Sequence, residues 1–180
     1  VDRATVIEKY RLVKSETDNP FATLIPLMDN KDKLDSINAP VVELAKNDGI
    51  EAMKYVRTNA AKLGIDPGKV GFMGFSAGGT VTMSVMLSAE EKWKPDFIAP
   101  IYLYKKAVLG KDMPKKETPI FIAVATDDGL GLLPHSIELY QEWVAAGQPA
   151  ELHAFEKGDH GFGFSAKGTT SDMWTQNFEN

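Results

Sequence analysis

Three short stretches of this 180-residue chain hold side chains suited to acyl transfer. Gly74-Phe75-Ser76-Ala77-Gly78 spells G-x-S-x-G directly behind the strand-like run Lys69-Val70-Gly71-Phe72-Met73. A hydroxyl held at a sharp strand-to-helix turn, among residues small enough to let the turn close, is open to an incoming carbonyl. An acidic pair, Asp127-Asp128, follows the apolar run 120–125, and Gly158-Asp159-His160-Gly161-Phe162-Gly163 follows the run 150–155. Serine, carboxylate and histidine are the parts of a nucleophile, its general base and the group that orients the base. An imidazole with its usual pKa of about 6.5 can take and return a proton near neutrality. Either acid of the pair could be the orienting group on this evidence, and G-x-S-x-G alone also describes a glycine-rich turn that packs a helix on a sheet.

These groups must be positioned by the elements around them. Strand-like runs at 5–10, 70–75, 97–102, 120–125 and 151–155 alternate with helix-like ones, the pattern of an α/β domain with a mostly parallel sheet and helices on both faces. A helix is expected over 41–63, where Ile50, Met53, Val56, Ala60 and Leu63 recur at three or four residues and form one apolar face. Gly64 stops it, and Asp66-Pro67-Gly68 turns the chain into the serine strand. Further helices are expected over 77–87 and 136–145, the second ended by Gly147-Gln148-Pro149. The polar, proline-containing stretch 14–39 reads as a surface loop or a short lid.

Composition narrows the function. The length and a 43% hydrophobic content suit one domain spanning 1–180 with a sizeable core. A net charge of −5 argues against nucleic acid or an anionic membrane as partner, and no apolar run reaches the roughly 18 residues of a membrane span. The first residues, Val1-Asp2-Arg3-Ala4, lack the basic and apolar regions of a signal peptide. Without cysteine there is no disulfide, thiolate nucleophile or Cys-ligated zinc. H-E-x-x-H, G-x-G-x-x-G and a P-loop lysine are missing too, so neither a metal nor a nucleotide cofactor is expected.

Each chosen residue has rivals. Ser84, Ser88 and Ser136 read as helix-surface or capping residues, since none follows a strand in a glycine turn. His153 reads as a hydrogen-bonded structural histidine within the last strand, and His135 as a surface residue at a helix start. Asp159 reads as a turn residue that tolerates unusual backbone angles.

Taken together, these stretches resemble the serine esterases of the α/β-hydrolase superfamily related to acetyl and acetyl-xylan esterases. The likeness extends over nearly the whole chain through Lys9-Tyr10-Arg11-Leu12, Gly64-Ile65-Asp66-Pro67, the serine motif through Gly79, Pro95-Asp96-Phe97, Thr126-Asp127-Asp128, Pro134-His135-Ser136 and the histidine motif. The order Ser, Asp, His is that of the superfamily. The resemblance implies Ser76 as nucleophile, His160 as base and Asp128, rather than Asp127, as the orienting acid, because relatives place that acid a few residues past the strand end. It also implies the backbone N–H of Ala77 as one oxyanion-hole donor.

Relatives carry further strands and an HGGG-type loop, source of the second oxyanion donor, ahead of the strand matched by 5–10, and their closing helix runs on past Met173-Trp174-Thr175-Gln176-Asn177-Phe178. The expectation is therefore a catalytic domain shortened at both ends, lacking the first strands of the full fold. The activity implied is hydrolysis of a small acyl ester, acetyl and carbohydrate-borne in the nearer relatives. The alternatives are a prolyl-oligopeptidase-type peptidase and a non-catalytic binding module with an incomplete oxyanion hole. An exposed sheet edge would also invite homo-oligomers or strand exchange.

Overall fold

The structure, a computed structural model, describes residues 5–12 and 30–179. Four parallel strands lie in sequence order: β1 (Gly71–Phe75), β2 (Phe97–Ile101), β3 (Ile120–Ala125) and β4 (Ala150–Phe155). Every residue of β3, Ile-Phe-Ile-Ala-Val-Ala, is buried, as expected of a central strand covered on both faces. Parallel connections share one hand, so strands laid down in a single direction send their crossover helices to the same side. Accordingly α3 (Ala77–Ser88) and α4 (Leu133–Ala145) pack Met83, Met86, Leu139 and Trp143 onto Ile98, Ile120 and Ile122. The alternate side chains Ala99, Ile101, Phe121 and Ala123 face the other way, toward Phe162, Trp174 and Phe178, where the short α5 (Trp174–Glu179) lies.

The first helix is longer than its apolar period suggests. α1 runs Lys31–Thr58, capped by the Asn30 side chain, which accepts the Lys33 N–H at 3.1 Å. A short α2 (Ala60–Leu63) follows and ends at Gly64 in the left-handed region. Residues 31–39, expected in a loop, are thus helical, and the remainder of that expected loop, through residue 29, lies outside the described residues. The apolar period begins only where α1 meets α3, burying Ala45, Met53 and Val56 against Val81 and Val85. Before that point the helix rests on its cap and on the Tyr104 hydroxyl, which donates to Asp35 at 3.1 Å, and it tolerates Pro40, which leaves the Ser36 carbonyl without an intrahelical donor. Its far end is tied to the β2 entry by Arg57, 3.1 Å from Asp96.

The strand expected at 5–10 does not form. Among the described residues that segment has no ladder partner, and it docks on α1 instead: the Arg11 backbone N–H and guanidinium both donate to Asp48, at 3.0 and 2.6 Å. Val6 and Ile7 stay exposed. An alternating apolar run becomes a strand only when a neighbour supplies the hydrogen bonds, and among the described residues β1 pairs with β2 alone.

Candidate active site

Ser76 sits where β1 gives way to α3, in a backbone that ordinary residues avoid, at φ 53° and ψ −115°. Its N–H donates to the Ile101 carbonyl of β2 at 2.9 Å, and its carbonyl accepts from Thr80 at 3.1 Å, so the turn is pinned from sheet and helix at once. The glycine two residues earlier is obligatory: a Cβ on Gly74 would lie 2.2 Å from the Gly78 carbonyl oxygen. Ala77 opens α3, and its N–H is among the amides at a helix start that have no intrahelical acceptor.

The Ser76 Oγ lies 2.9 Å from His160 Nε2, and His160 Nδ1 lies 3.0 Å from Asp128 Oδ2. With the Nδ1–H donating to the carboxylate, Nε2 is left as the acceptor for the serine hydroxyl. The Asp128 side chain is 1% exposed, and its second oxygen accepts the Leu130 N–H at 2.8 Å. The imidazole is 21% exposed and rests edge-on against Tyr102, with ring centroids 5.0 Å apart. Tyr102 belongs to the site although no motif marks it. It leaves β2 at φ 38°, packs on Phe162 and accepts the Gly163 N–H on its hydroxyl at 3.2 Å, bracing the loop that carries His160. An aromatic two residues past Pro100 offers no sequence signal for this; only the register of β1 on β2 places it there.

Asp127 does not reach the imidazole. Its Oδ1 accepts the backbone N–H groups of Gly158 and Asp159, which hold its carboxyl below the usual range. Asp159 adopts φ 57°, the unusual backbone expected of it, and accepts the His160 N–H at 2.7 Å. His153 is structural, as expected: it bonds Glu151 and Asn177 and stacks on Phe121. Ser84 and Ser136 differ from expectation, for both are fully buried. Ser84 donates to the Thr80 carbonyl and accepts the Leu109 N–H, because α3 lies between the sheet and α1 and so has little solvent face. Ser136 is enclosed where α4 meets the sheet, and its hydroxyl has no hydrogen-bond partner among the described residues. Ser88 donates to the Leu109 carbonyl, and His135 lies edge-on to Tyr104 at 5.0 Å.

One feature lies apart from this chemistry. An apolar groove of about 530 Å³, lined by Phe97, Pro119, Phe121, Pro149 and Phe178, opens at the amino ends of the strands, opposite the end that holds Ser76. Among the described residues no cluster of His, Asp and Glu has the arrangement to hold a metal ion, and no helix is long and apolar enough to cross a membrane.

Comparison with known proteins agrees with this architecture. Residues 40–117 match a family described as having the alpha/beta hydrolase fold. An acetylxylan esterase of Xylanibacter ruminicola is 27% identical, over 72% of this chain and 33% of its own length. The chain thus spans about a third of that relative. Among solved structures, the acetyl ester-xyloside bifunctional hydrolase of Caldicellulosiruptor lactoaceticus superposes with a TM-score of 0.65 at 27% identity, covering 74% of this chain and 63% of the other. An alpha/beta hydrolase enzyme from a Medee basin deep-sea metagenome library superposes at 0.54 with 28% identity, covering 64% and 50%.

Proposed function

We propose that this chain, which has the α/β-hydrolase fold and is related to esterases of that fold, is itself a serine carboxylesterase acting on short-chain acyl esters. One observation carries the proposal: a serine hydroxyl in strained backbone, 2.9 Å from an imidazole whose other nitrogen is 3.0 Å from a buried carboxylate.

In this mechanism Ser76 Oγ attacks the ester carbonyl as His160 Nε2 takes its proton. The tetrahedral oxyanion faces the Ala77 N–H at the start of α3, where the helix dipole also favours negative charge. Collapse expels the alcohol, which leaves with the proton from His160, and water then attacks the acyl-serine by the same relay in reverse. Asp128 holds the ring in its working tautomer and stabilises the imidazolium without itself taking the proton. The small acyl group and the sugar-borne alcohol are proposed from relatives described as acting on acetyl esters and acetylxylan.

The test is hydrolysis of p-nitrophenyl acetate by the wild type and by Ser76→Ala, with labelling by a serine-directed phosphonate. Turnover should vanish in the variant with its circular dichroism unchanged, and the label should sit on Ser76 alone. Label on Ser84 or Ser136, or equal rates in the two proteins, would refute the assignment.

A further inference from the structure

Two loops meet behind His160, and their acids divide the work. The loop after β3 carries Asp127, Asp128 and Gly129; the loop after β4 carries Gly158, Asp159 and His160. Asp128 turns toward the imidazole. Asp127 turns toward the other loop's backbone, where one carboxylate oxygen accepts the N–H groups of Gly158 at 3.0 Å and Asp159 at 2.9 Å. Asp159 returns the contact: its own Oδ1 accepts the Gly129 N–H at 3.0 Å, while also holding the adjacent His160 N–H at 2.7 Å. An acid that only shapes its own turn bonds within that turn, whereas these bonds join residues 30 to 32 positions apart.

The surroundings make the clasp rigid. A Cβ on Gly158 would lie 2.5 Å from Ser171 Oγ and 3.1 Å from the Ala125 Cβ, so the histidine loop is seated tightly on the end of β3. Backbone N–H groups hold both carboxyls below their usual range, the Asp159 N–H foremost for Asp127 and the His160 N–H foremost for Asp159, which keeps both charged and accepting. Lys157 adds a cation 3.7 Å from the outer oxygen of Asp127. Every one of these bonds ends on the backbone of His160 or of its two preceding neighbours, or on the loop that carries Asp128.

We propose that Asp127 and Asp159 are positioning residues, a reciprocal clasp between the two loops that holds the His160 ring in register with both Ser76 and Asp128. The inference rests on the esterase function proposed above. Neither acid touches substrate; both act through the imidazole. Displacement of a catalytic group by about 1 Å costs on the order of 100-fold in rate, so loosening this loop lowers kcat while leaving the binding of a small ester nearly alone.

The experiment uses the whole chain with Asp127→Ala, Asp127→Asn and Asp159→Asn, p-nitrophenyl acetate as substrate, and the low-field proton resonance of His160 Nδ1 as a readout independent of turnover. Asp127→Ala should lower kcat by roughly 10- to 100-fold with KM changed less than about threefold, and should broaden or remove the Nδ1 resonance. The Asn variants keep a side-chain acceptor, and asparagine tolerates the left-handed backbone at position 159; they should restore much of the rate and the resonance, and they keep the test open if Asp127→Ala fails to fold. In a His160→Ala background, Asp127→Ala should bring no further loss. A full-sized further loss there, or an unchanged kcat and resonance in Asp127→Ala, would overturn the proposal. If the wild type is no faster than Ser76→Ala, the esterase function itself fails, and the resonance alone then decides whether the clasp holds the ring.

Discussion

Asp127 and Asp128 are neighbours of the same chemical type, and the structure separates them by what each faces. Asp128 meets the imidazole with a side chain almost wholly removed from water, and Asp127 meets two backbone N–H groups. Asp128→Asn offers the wrong partner to the Nδ1 proton and should lower kcat by several orders of magnitude, about 10⁴-fold where this loss has been dissected in another triad. Asp127→Asn should cost far less. Parallel kcat measurements on p-nitrophenyl acetate check the pair, and a larger loss at position 127 would reverse the roles. The serine turn makes a second demand at this scale. Gly74→Ala would drive a methyl to 2.2 Å from a backbone oxygen that cannot rotate away, so the elbow must open. We expect a loss of roughly 1–3 kcal/mol, as for other overpacked sites, with activity falling further than stability because Ser76 moves. Thermal melts and kcat on the same samples test this, and a variant of wild-type activity would show that the elbow has slack.

Among the elements, the segment 5–12 differs most from the others, since it is held to α1 by side chains rather than by a ladder. Glu8 lies in that contact with one carboxylate oxygen buried and, among the described residues, unpartnered. Burial, and after it the negative charge of Asp48, raises its pKa from 4.5 to about 7. The docked segment therefore binds a proton that the undocked one releases, and between about pH 4.5 and 7 the docked form holds more protons. Docking is strongest at the acid end of that window and weakens as pH rises through 7. Asp48 stays charged throughout, because the Arg11 guanidinium lowers its pKa. Hydrogen exchange at the Arg11 amide should accordingly be slower at pH 5.5 than at pH 8 after correction for intrinsic rate. Glu8→Gln, neutral at every pH, should abolish the difference and keep the amide protected at pH 8. A wild-type amide protected equally at both values would contradict this account.

Among the described residues the four-stranded sheet of the whole molecule has two edges, β1 and β4, and one lightly covered face, which β1 borders. Along β1 the residues Gly71, Met73 and Phe75 point to the α5 side, and the Phe97 ring lies over Gly71. Met73 and Phe97 are 39% and 40% exposed, and Phe164, packed on Phe75, is 69% exposed. Among the described residues the outer backbone groups of β1 have no ladder partner, and such groups beside an apolar strip favour pairing with a second copy. We expect the 180-residue chain to self-associate with concentration through β1. Met73→Lys, which puts a charge on that strip without entering the core, should shift the sedimentation profile toward monomer and leave the melting temperature within a few degrees. A wild type that stays monomeric at high concentration would exclude this edge as an interface.

Much of this was legible in the sequence because it rests on local chemistry. A G-x-S-x-G turn behind an apolar run can be a strained elbow without any knowledge of the sheet, and runs such as 120–125 are strands in whichever fold buries both their faces. The helix over 41–63 declared itself through its apolar face. The helix at 31–39 did not, since a capped, solvent-facing turn carries no such period. What tertiary structure alone decided are contacts between residues far apart in the chain: that Asp127 binds the backbone of the histidine loop, that Tyr102 backs the imidazole, that Ser84 and Ser136 lie inside, and that 5–12 clings to α1 instead of joining the sheet. The physical reason is common to all four. A side chain's partner depends on strand register and on which faces the crossovers cover, and neither is written in the residues on either side of it.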